Sequence, residues 1–391
     1  MVVVDVVLIV VLILAVLVGA QRGLVASAGT LLGLLAGGIA AYWLAPIVND
    51  AWPWQVWRPF VVLVLVLALL ATGGALGATI GAALRRGVDR TTPLRVVDRV
   101  LGSLASVIVA ALALSLVGSS IAATGAPTLA PAIASSQVLR TIDRLTPPPV
   151  AEALAQLRSV VLGDALPRFG NLLGGVASPT QPPIDLADPD LERAAASVVR
   201  VSGTAYACGI SSTGSGFVIA DDRVVTNAHV VAGVDAPVVE VPGGAAREGR
   251  IVYFDPVNDL ALIAVDGLDA APLRLGSTLT PGAAAVVQGY PYGGPFTQTN
   301  ADVLSTGTVE MPDIYSTRTE PREIYSLQAA VRPGNSGGPL LTGDGVVAGI
   351  VFARGENDDS RGYAMTMAEL DPVAQEAPGL DAPVSTGACT G

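Results

Sequence analysis

Four long apolar segments in the first third of the chain constrain its fold more than any other feature of the sequence. They cover residues 2–20, 24–44, 60–84 and 100–122. Each has about the 20 residues that an α-helix needs to cross the hydrocarbon core of a bilayer. The first segment carries Asp5, lacks the basic start of a signal peptide and is followed at once by another apolar segment. The sequence therefore predicts an all-α transmembrane bundle of four helices within residues 1–122.

The arginines between these segments predict how the chain is oriented in the membrane. The connection between the third and fourth segments is rich in arginine, with Arg85, Arg86, Arg90, Arg95 and Arg99. Loops on the cytoplasmic side carry an excess of basic residues. We therefore expect a multi-pass protein of the bacterial inner (plasma) membrane, with both termini and everything after residue 122 outside the cytoplasm.

Two further features of the apolar segments have alternative interpretations. Glycines recur at every fourth position, at Gly29, Gly33 and Gly37 and again at Gly73, Gly77 and Gly81. Such rows let helices approach closely, in a bundle or between two copies of the chain, although glycine is also simply common in membrane helices. Asp5 is either an interfacial side chain or a functional acid. Membrane lipid is an expected partner in every case.

Charge separates the first part of the chain from the second. Residues 1–179 contain 11 Arg and 7 acidic residues, whereas residues 180–391 contain 11 Arg and 26 acidic residues. An acidic domain cannot make the clustered phosphate contacts of a nucleic-acid-binding protein, so we expect no nucleic-acid partner. Between the two parts, proline-rich stretches mark residues 123–197 as a connector, with a short amphipathic helix within residues 150–162.

From about residue 198 the sequence changes to short β-branched runs, such as residues 260–265 and 307–309, separated by Gly, Asp and Pro. Many short strands without a long helical period predict an all-β sandwich or a pair of barrels. His229, the only histidine of the chain, follows one of these runs. Two cysteines and one histidine cannot supply the four ligands of a structural zinc site, and we expect neither a metal nor a cofactor.

Three residues of this part are candidates for nucleophilic catalysis around His229. Ser336 lies in the glycine-rich stretch RPGNSGGPLL, where the N–H groups of Gly334 and Ser336 can converge as an oxyanion hole. Asp259, in NDLALIAV, would hold the imidazole in the required tautomer, and Asp255 is its rival. Each motif taken alone also fits a hairpin turn or a strand cap.

The ordered motifs TNAHVV, DLALI and GNSGGPLL resemble those of trypsin-like serine proteases, in particular the bacterial HtrA/Deg branch, and GSGFVI resembles that branch as well. The resemblance covers about residues 198–370. It implies a chymotrypsin-like double β-barrel domain within residues 198–391. It also implies that His229 is the general base, Asp259 its orienting acid and Ser336 the nucleophile.

The same resemblance implies a specificity pocket. Its floor would be Ala330, six residues before Ser336, and its wall would be Gly362, Tyr363 and Ala364. A floor without an acid argues against a preference for Arg or Lys substrates.

The membrane part resembles the colicin V production (CvpA) family. Only 55 residues follow Ser336, too few for the PDZ domain that HtrA enzymes usually carry. The combination is similar to the mycobacterial family of membrane-anchored acid-resistance serine proteases. This similarity implies protein or peptide substrates in the cell envelope and a role in envelope stress or acid tolerance. An imidazole is protonated below about pH 6, so such a role requires the triad to tolerate acid.

Cys208 and Cys389 are the only cysteines, and both lie in the part that we expect outside the cytoplasm. Oxidation is favoured there, so we expect a disulfide, with two free buried thiols as the alternative.

The sequence favours a membrane-anchored endopeptidase over two other functions. A catalytically silent, peptide-binding sensor would not need all three motif residues. A transporter would need more intramembrane charge than Asp5 supplies. A flexible connector beside a tethered protease would itself be a substrate, which predicts self-processing.

Overall fold

The structure, a computed structural model, describes residues 2–53, 58–85, 92–123, 132–133, 135–162, 166–173, 177–205, 208 and 210–390. Two of the arginines used to predict orientation, Arg86 and Arg90, lie outside these residues. The chain forms two compact units. One consists of residues 1–119 and 136–162, and the other of residues 120–135 and 163–391.

The first unit is built on three apolar helical runs, α1 (Val2–Ala51), α2 (Arg58–Arg85) and α3 (Thr92–Ala123). The first run consists of two helices, because Gly23 has φ 78° and ψ 170° inside it. All three runs are long and apolar enough to cross a membrane, and α1 supplies a stretch of 46 residues. The first two predicted segments are therefore joined through a break at Gly23.

The glycine rows lie where α1 and α2 cross. A Cβ atom added to Gly33 would lie 2.0 Å from the carbonyl oxygen of Gly73, and one added to Gly29 would lie 2.3 Å from that of Gly77. Backbone approaches this close admit no side chain, so the rows pack against each other within one chain. Association between copies stays a prediction.

Two connector helices complete the first unit, α4 (Gln137–Leu145) and α5 (Pro148–Leu162). Asp5 accepts hydrogen bonds from the Ser136 hydroxyl at 2.6 Å and from the Val138 N–H at 3.3 Å. These donors belong to the N-terminus of α4, where free N–H groups favour a carboxylate. Asp5 therefore caps a connector helix.

The second unit is rich in β-structure. Within the described residues, its two seven-stranded sheets contain β1 (Arg168–Phe169), β2 (Val198–Ala205), β3 (Ile210–Ala220), β4 (Arg223–Thr226), β5 (Val238–Glu240), β6 (Arg247–Glu248), β7 (Arg250–Asp255), β8 (Leu260–Ala264), β9 (Ala284–Gly289), β10 (Thr297–Pro312), β11 (Thr319–Gln328), β12 (Pro339–Leu341), β13 (Val347–Gly355) and β14 (Arg361–Thr366). Three short helices accompany them, α6 (Pro189–Ala195), α7 (Ala228–Val231) and α8 (Met367–Glu376).

The two sheets differ in strand order, and the strands of the second sheet close into a barrel. The first has the order β6-β5-β2-β3-β4-β8-β7, and the second has the order β1-β13-β12-β9-β10-β11-β14. In the second sheet β14 pairs with both β11 and β13, so six strands close into a barrel with β1 attached to its outside. The predicted order, apolar helices followed by a domain built of β-sheets, is confirmed.

A shared apolar core joins the two sheets. One buried cluster includes Phe217 and Leu262 of the first sheet together with Val286 and Ile350 of the second. Because both sheets bury a face in this cluster, the loops that leave their strands at its margin are brought close together. These loops carry the candidate catalytic residues.

The C-terminal tail returns to the first sheet and ends in a disulfide between Cys389 and Cys208. Before it, the Gly233 N–H donates to the Thr386 carbonyl at 3.2 Å, and the Thr386 hydroxyl donates to the Val234 carbonyl at 3.1 Å. The tail therefore packs on the loop that follows α7.

Candidate active site

His229, Asp259 and Ser336 meet between the two sheets. His229 lies on α7 after β4, Asp259 immediately precedes β8, and Ser336 lies before β12. The His229 Nδ1 atom is 2.8 Å from Asp259 Oδ2, and its Nε2 atom is 2.9 Å from Ser336 Oγ. A carboxylate can only accept, so the Nδ1 atom carries a proton and the Nε2 lone pair faces the serine hydroxyl.

Asp259 is held both at its carboxylate and at its backbone carbonyl. Its Oδ1 atom accepts the backbone N–H of His229 at 2.9 Å, in addition to the ring contact. The Asn227 side-chain amide donates to the Asp259 carbonyl at 3.0 Å. Asp259 has φ 55°, a left-handed conformation that a non-glycine residue keeps only when its surroundings impose it. The imidazole and the acid are therefore positioned together.

Asp255 does not reach the imidazole. Its Oδ1 atom accepts the N–H groups of Val257 at 2.8 Å and Asn258 at 3.1 Å, and its Oδ2 atom accepts the Asn258 side-chain amide at 2.9 Å. It therefore caps the turn that leads to Asp259.

The turn around Ser336 needs its glycines. Gly334 has φ 92° and Gly337 has φ 81°, both in the left-handed region. A Cβ atom at Gly334 would lie 2.4 Å from the Tyr290 carbonyl oxygen, and one at Gly337 would lie 2.2 Å from that of Ser215. Strand β3 and the residues after β9 therefore approach the turn too closely for any side chain at these two positions.

Two N–H groups of this turn are available to a ligand. Those of Gly334 and Ser336 donate to no acceptor within the part of the chain that the structure describes. The carbonyl of Pro333 accepts the Tyr292 N–H, which fixes the peptide group that contains the Gly334 N–H. The Asn335 side chain closes the turn locally by accepting the Arg332 N–H at 3.0 Å. These are the donors expected for an oxyanion hole.

Ser215 is a residue of the site that the motif analysis passed over. Its hydroxyl donates to the Gly334 carbonyl at 2.6 Å and accepts the Tyr290 N–H at 2.9 Å. Its backbone N–H donates to the Ser336 carbonyl at 2.8 Å, and its side chain is fully buried. Little in the sequence marks it, because strand β3 also contains Ser211, Ser212 and Thr213.

The residues predicted for the specificity pocket lie in different surroundings. Ala330 is exposed, whereas Gly362, Tyr363 and Ala364 are buried on β14. A Cβ atom at Gly362 would lie 2.4 Å from a methyl group of Val331. The Tyr363 ring belongs to the shared core, and its hydroxyl donates to the Gly170 carbonyl at 2.6 Å. Their role in specificity stays a prediction.

The arrangement can perform acyl transfer. A hydroxyl faces the free nitrogen of an imidazole, a carboxylate orients the ring, and unpaired N–H groups lie in the same turn as the hydroxyl. His229 and Ser336 are 5% and 2% exposed, so the reacting groups are largely shielded from bulk water. Among the described residues no group of three or more His, Cys, Asp or Glu side chains is arranged to hold a metal ion.

Comparisons with known proteins gave matches to both the membrane part and the β-rich part of the chain. A family model described as trypsin-like peptidase domain matches residues 214–350, and one described as colicin V production protein matches residues 4–147. Serine protease Rv3671c of Mycobacterium tuberculosis is 33% identical over 394 residues, which covers 98% of each chain. A "Probable periplasmic serine endoprotease DegP-like" of Pseudomonas putida is 36% identical over 153 residues, covering 37% of this chain and 30% of that protein.

Among solved structures, the active form of the Rv3671c protease matches with a TM-score of 0.52 and 36% sequence identity. This match covers 58% of the chain and 99% of the crystallised protein.

Proposed function

This chain belongs to the family of membrane-anchored, trypsin-like serine proteases, and we propose that it cuts peptide bonds through His229, Asp259 and Ser336. The observation that carries the proposal is the continuous contact from the Asp259 carboxylate through both imidazole nitrogens to the Ser336 hydroxyl. All three residues are buried, with at most 5% of any of them exposed.

In the proposed mechanism Ser336 Oγ attacks the carbonyl carbon of the scissile bond. His229 Nε2 takes the hydroxyl proton as the C–O bond forms and then gives it to the leaving amine. Asp259 keeps the Nδ1 proton in place and stabilises the imidazolium. The N–H groups of Gly334 and Ser336 receive the negative oxygen of the tetrahedral intermediate. A water molecule then takes the place of the amine. His229 accepts its proton while its oxygen attacks the acyl carbon, and Ser336 Oγ leaves and regains a proton from His229.

Labelling with a fluorophosphonate probe tests this proposal on the full chain. We expect wild-type chain to be labelled and Ser336→Ala not to be. Peptidase activity should fall by several orders of magnitude in Ser336→Ala, His229→Ala and Asp259→Ala, because the three residues act as a unit. Asp255→Ala should have a mild effect, since Asp255 caps a turn. Unlabelled wild-type chain would favour a silent peptide-binding scaffold, and turnover by Ser336→Ala would contradict the assignment of the nucleophile.

We propose extended proteins or peptides of the cell envelope as substrates. A pocket with Ala330 at its floor and Gly362, Tyr363 and Ala364 at its wall would favour uncharged residues before the cleaved bond. The absence of an acid at residue 330 supports this preference. A peptide library with every residue type at that position tests it, and preferred cleavage after Arg would contradict it.

We propose an inner-membrane, multi-pass protein whose protease domain lies outside the cytoplasm. The excess of arginine between the third and fourth apolar segments supports this orientation. The proposed division is a membrane domain of residues 1–122, a connector of residues 123–197 and a protease domain of residues 198–391. A reporter fused after Gly391 that is active only in the cytoplasm would contradict the orientation.

We propose that the protease cleaves its own connector. Strand β1, which belongs to the connector, pairs with β13, and β13 is bonded to the nucleophile turn because the Gly337 N–H donates to the Val351 carbonyl at 2.8 Å. Part of the connector thus belongs to the sheet that carries the nucleophile turn, which supports the proposal. Full-length wild-type chain in detergent should shorten over hours while Ser336→Ala stays intact. Two equally intact chains would contradict self-processing.

We propose a role in envelope stress or acid tolerance, on the strength of the family resemblance. Restoring growth in acidic medium to a deletion strain tests it, with wild-type and Ser336→Ala genes as the matched pair. Equal growth with both genes would contradict a proteolytic role in acid tolerance.

A further inference from the structure

Arg322 is a buried cation that contacts the turn leading to Asp259. It lies on β11, where it pairs with Val309, and only 3% of it is exposed. Its Nη2 atom donates to the Val257 carbonyl, and its guanidinium carbon lies 5.8 Å from the centre of the Phe352 ring. Its Nε atom is buried and has no hydrogen-bond partner within the described ranges. One carbonyl and one aromatic ring therefore hold this cation.

The turn that Arg322 contacts determines where the Asp259 carboxylate lies. The second sheet holds this turn at two adjacent carbonyls, since the Ile314 N–H donates to Pro256 at 3.0 Å and Arg322 donates to Val257. Asp259 follows two residues later in a left-handed conformation. Because such a conformation persists only under outside constraint, these two contacts contribute to its geometry.

The charge of Arg322 acts on the same site. Burial lowers the pKa of Arg322, and nearby carboxylates oppose that shift, Asp259 most strongly and then Glu369, Asp255 and Asp313. An arginine remains protonated at every pH at which a protein is ordinarily folded. Burying a cation without a bonded carboxylate costs stability. Its place beside the turn suggests a task in catalysis instead.

We propose that Arg322 is a positioning residue of the protease, which holds the turn before Asp259 through the Val257 carbonyl and so keeps the Asp259 carboxylate against the His229 ring. This inference rests on the proposed function of that pair. Because Asp259 orients the imidazole that accepts the Ser336 proton, loss of the contact should lower kcat without weakening substrate binding.

Three variants of the full chain test the hydrogen bond to the Val257 carbonyl. Arg322→Lys keeps a donor at nearly the same reach, Arg322→Gln has a donor on a shorter side chain, and Arg322→Met has none. The measurements are kcat and KM with a peptide substrate in detergent. In the Gln and Met variants kcat should fall about 10- to 100-fold, because a small displacement of a catalytic group is costly. The Lys variant should restore most of kcat, and KM should change less than about twofold in all three because Arg322 does not touch substrate.

Arg223→Met is the matched control. The Arg223 side chain is 12% exposed and its Nε atom donates to the Leu380 carbonyl at 2.9 Å, at the opposite end of β4 from α7. This variant should keep the wild-type kcat. If Arg322→Met does not fold, the Gln and Lys variants carry the comparison. Equal kcat in wild type and Arg322→Gln, or an equal loss in Arg223→Met, would overturn the inference, whereas an inactive wild-type chain would contradict the proposed function.

Discussion

Ser215→Ala tests whether a single buried hydroxyl holds the nucleophile turn. The hydroxyl bonds the Gly334 carbonyl at 2.6 Å and the Tyr290 N–H at 2.9 Å. Alanine removes both bonds and leaves a buried acceptor and a buried donor without this partner. Each such group costs about 1–3 kcal/mol, so we expect the free energy of unfolding of the β-rich unit to fall by about 2–6 kcal/mol.

The same change should impair catalysis. Gly334 supplies one of the two proposed oxyanion donors, and its position depends on the turn that Ser215 fastens to β3. Complete loss of one such donor lowers kcat by about 100- to 1,000-fold. Because the Pro333 carbonyl remains bonded to the Tyr292 N–H, we expect a partial loss, about 10- to 100-fold in kcat.

Calorimetry and peptide turnover of the full chain in detergent measure both effects. The melting temperature of the β-rich unit should fall by roughly 4–24 °C, at about 2–4 °C per kcal/mol for a domain of this size. Ser211→Ala on the same strand is the control. Its hydroxyl is paired with the Thr204 hydroxyl at 3.0 Å and, among the described residues, with no other group, so the change should alter stability by less than about 0.5 kcal/mol. A Ser215→Ala chain with wild-type melting temperature and kcat would refute the reasoning.

Three further perturbations follow from the structure. Gly337→Ala should destabilise the unit by about 1–3 kcal/mol and abolish probe labelling, because its Cβ atom would lie 2.2 Å from the Ser215 carbonyl oxygen at φ 81°. Burial alone would raise the pKa of Asp313, but hydrogen bonds from the Thr317 hydroxyl and nearby N–H groups lower it below its ordinary value. Asp313 therefore stabilises the fold above about pH 4, and that stability is lost as the pH falls further, so Asp313→Asn should flatten this part of a stability–pH curve. Cys389→Ser should lower the melting temperature by several degrees, since the disulfide joins residues 181 positions apart and its chain-entropy contribution is at most about 5 kcal/mol; adding Cys208→Ser should cause no further loss.

Features that depend on neighbouring residues could be predicted from the sequence. Apolar length predicts membrane helices because a bilayer requires about 20 apolar residues in a row. Glycine spacing predicts close helix packing because every fourth residue lies on one helix face. The turn at Ser336 was readable because Gly334 and Gly337 mark left-handed backbone, and both have positive φ. The strand predicted at residues 307–309 was placed correctly but is part of the longer β10.

The helices and the strand of the connector were harder to predict, because contacts with residues far away in the chain stabilise them. Helix α4 was not predicted, and its N-terminus is capped by Asp5, 131 positions away from Ser136. Strand β1 has two residues and exists only through its pairing with β13. Such short elements carry no period of their own, so their structure is decided by the surfaces on which they pack.

The sequence by itself determined the class of the protein, the order of its two parts and the identity of the three candidate catalytic residues, since apolar runs and ordered motifs are local properties of the chain. Only the tertiary structure decided what supports those residues. Ser215 lies 119 positions from Gly334, and Arg322 lies 65 positions from Val257. A serine in a strand and an arginine in a strand look ordinary in sequence. Their burial against the nucleophile turn and the Asp259 turn follows from how two sheets pack on one apolar core, which no local pattern records.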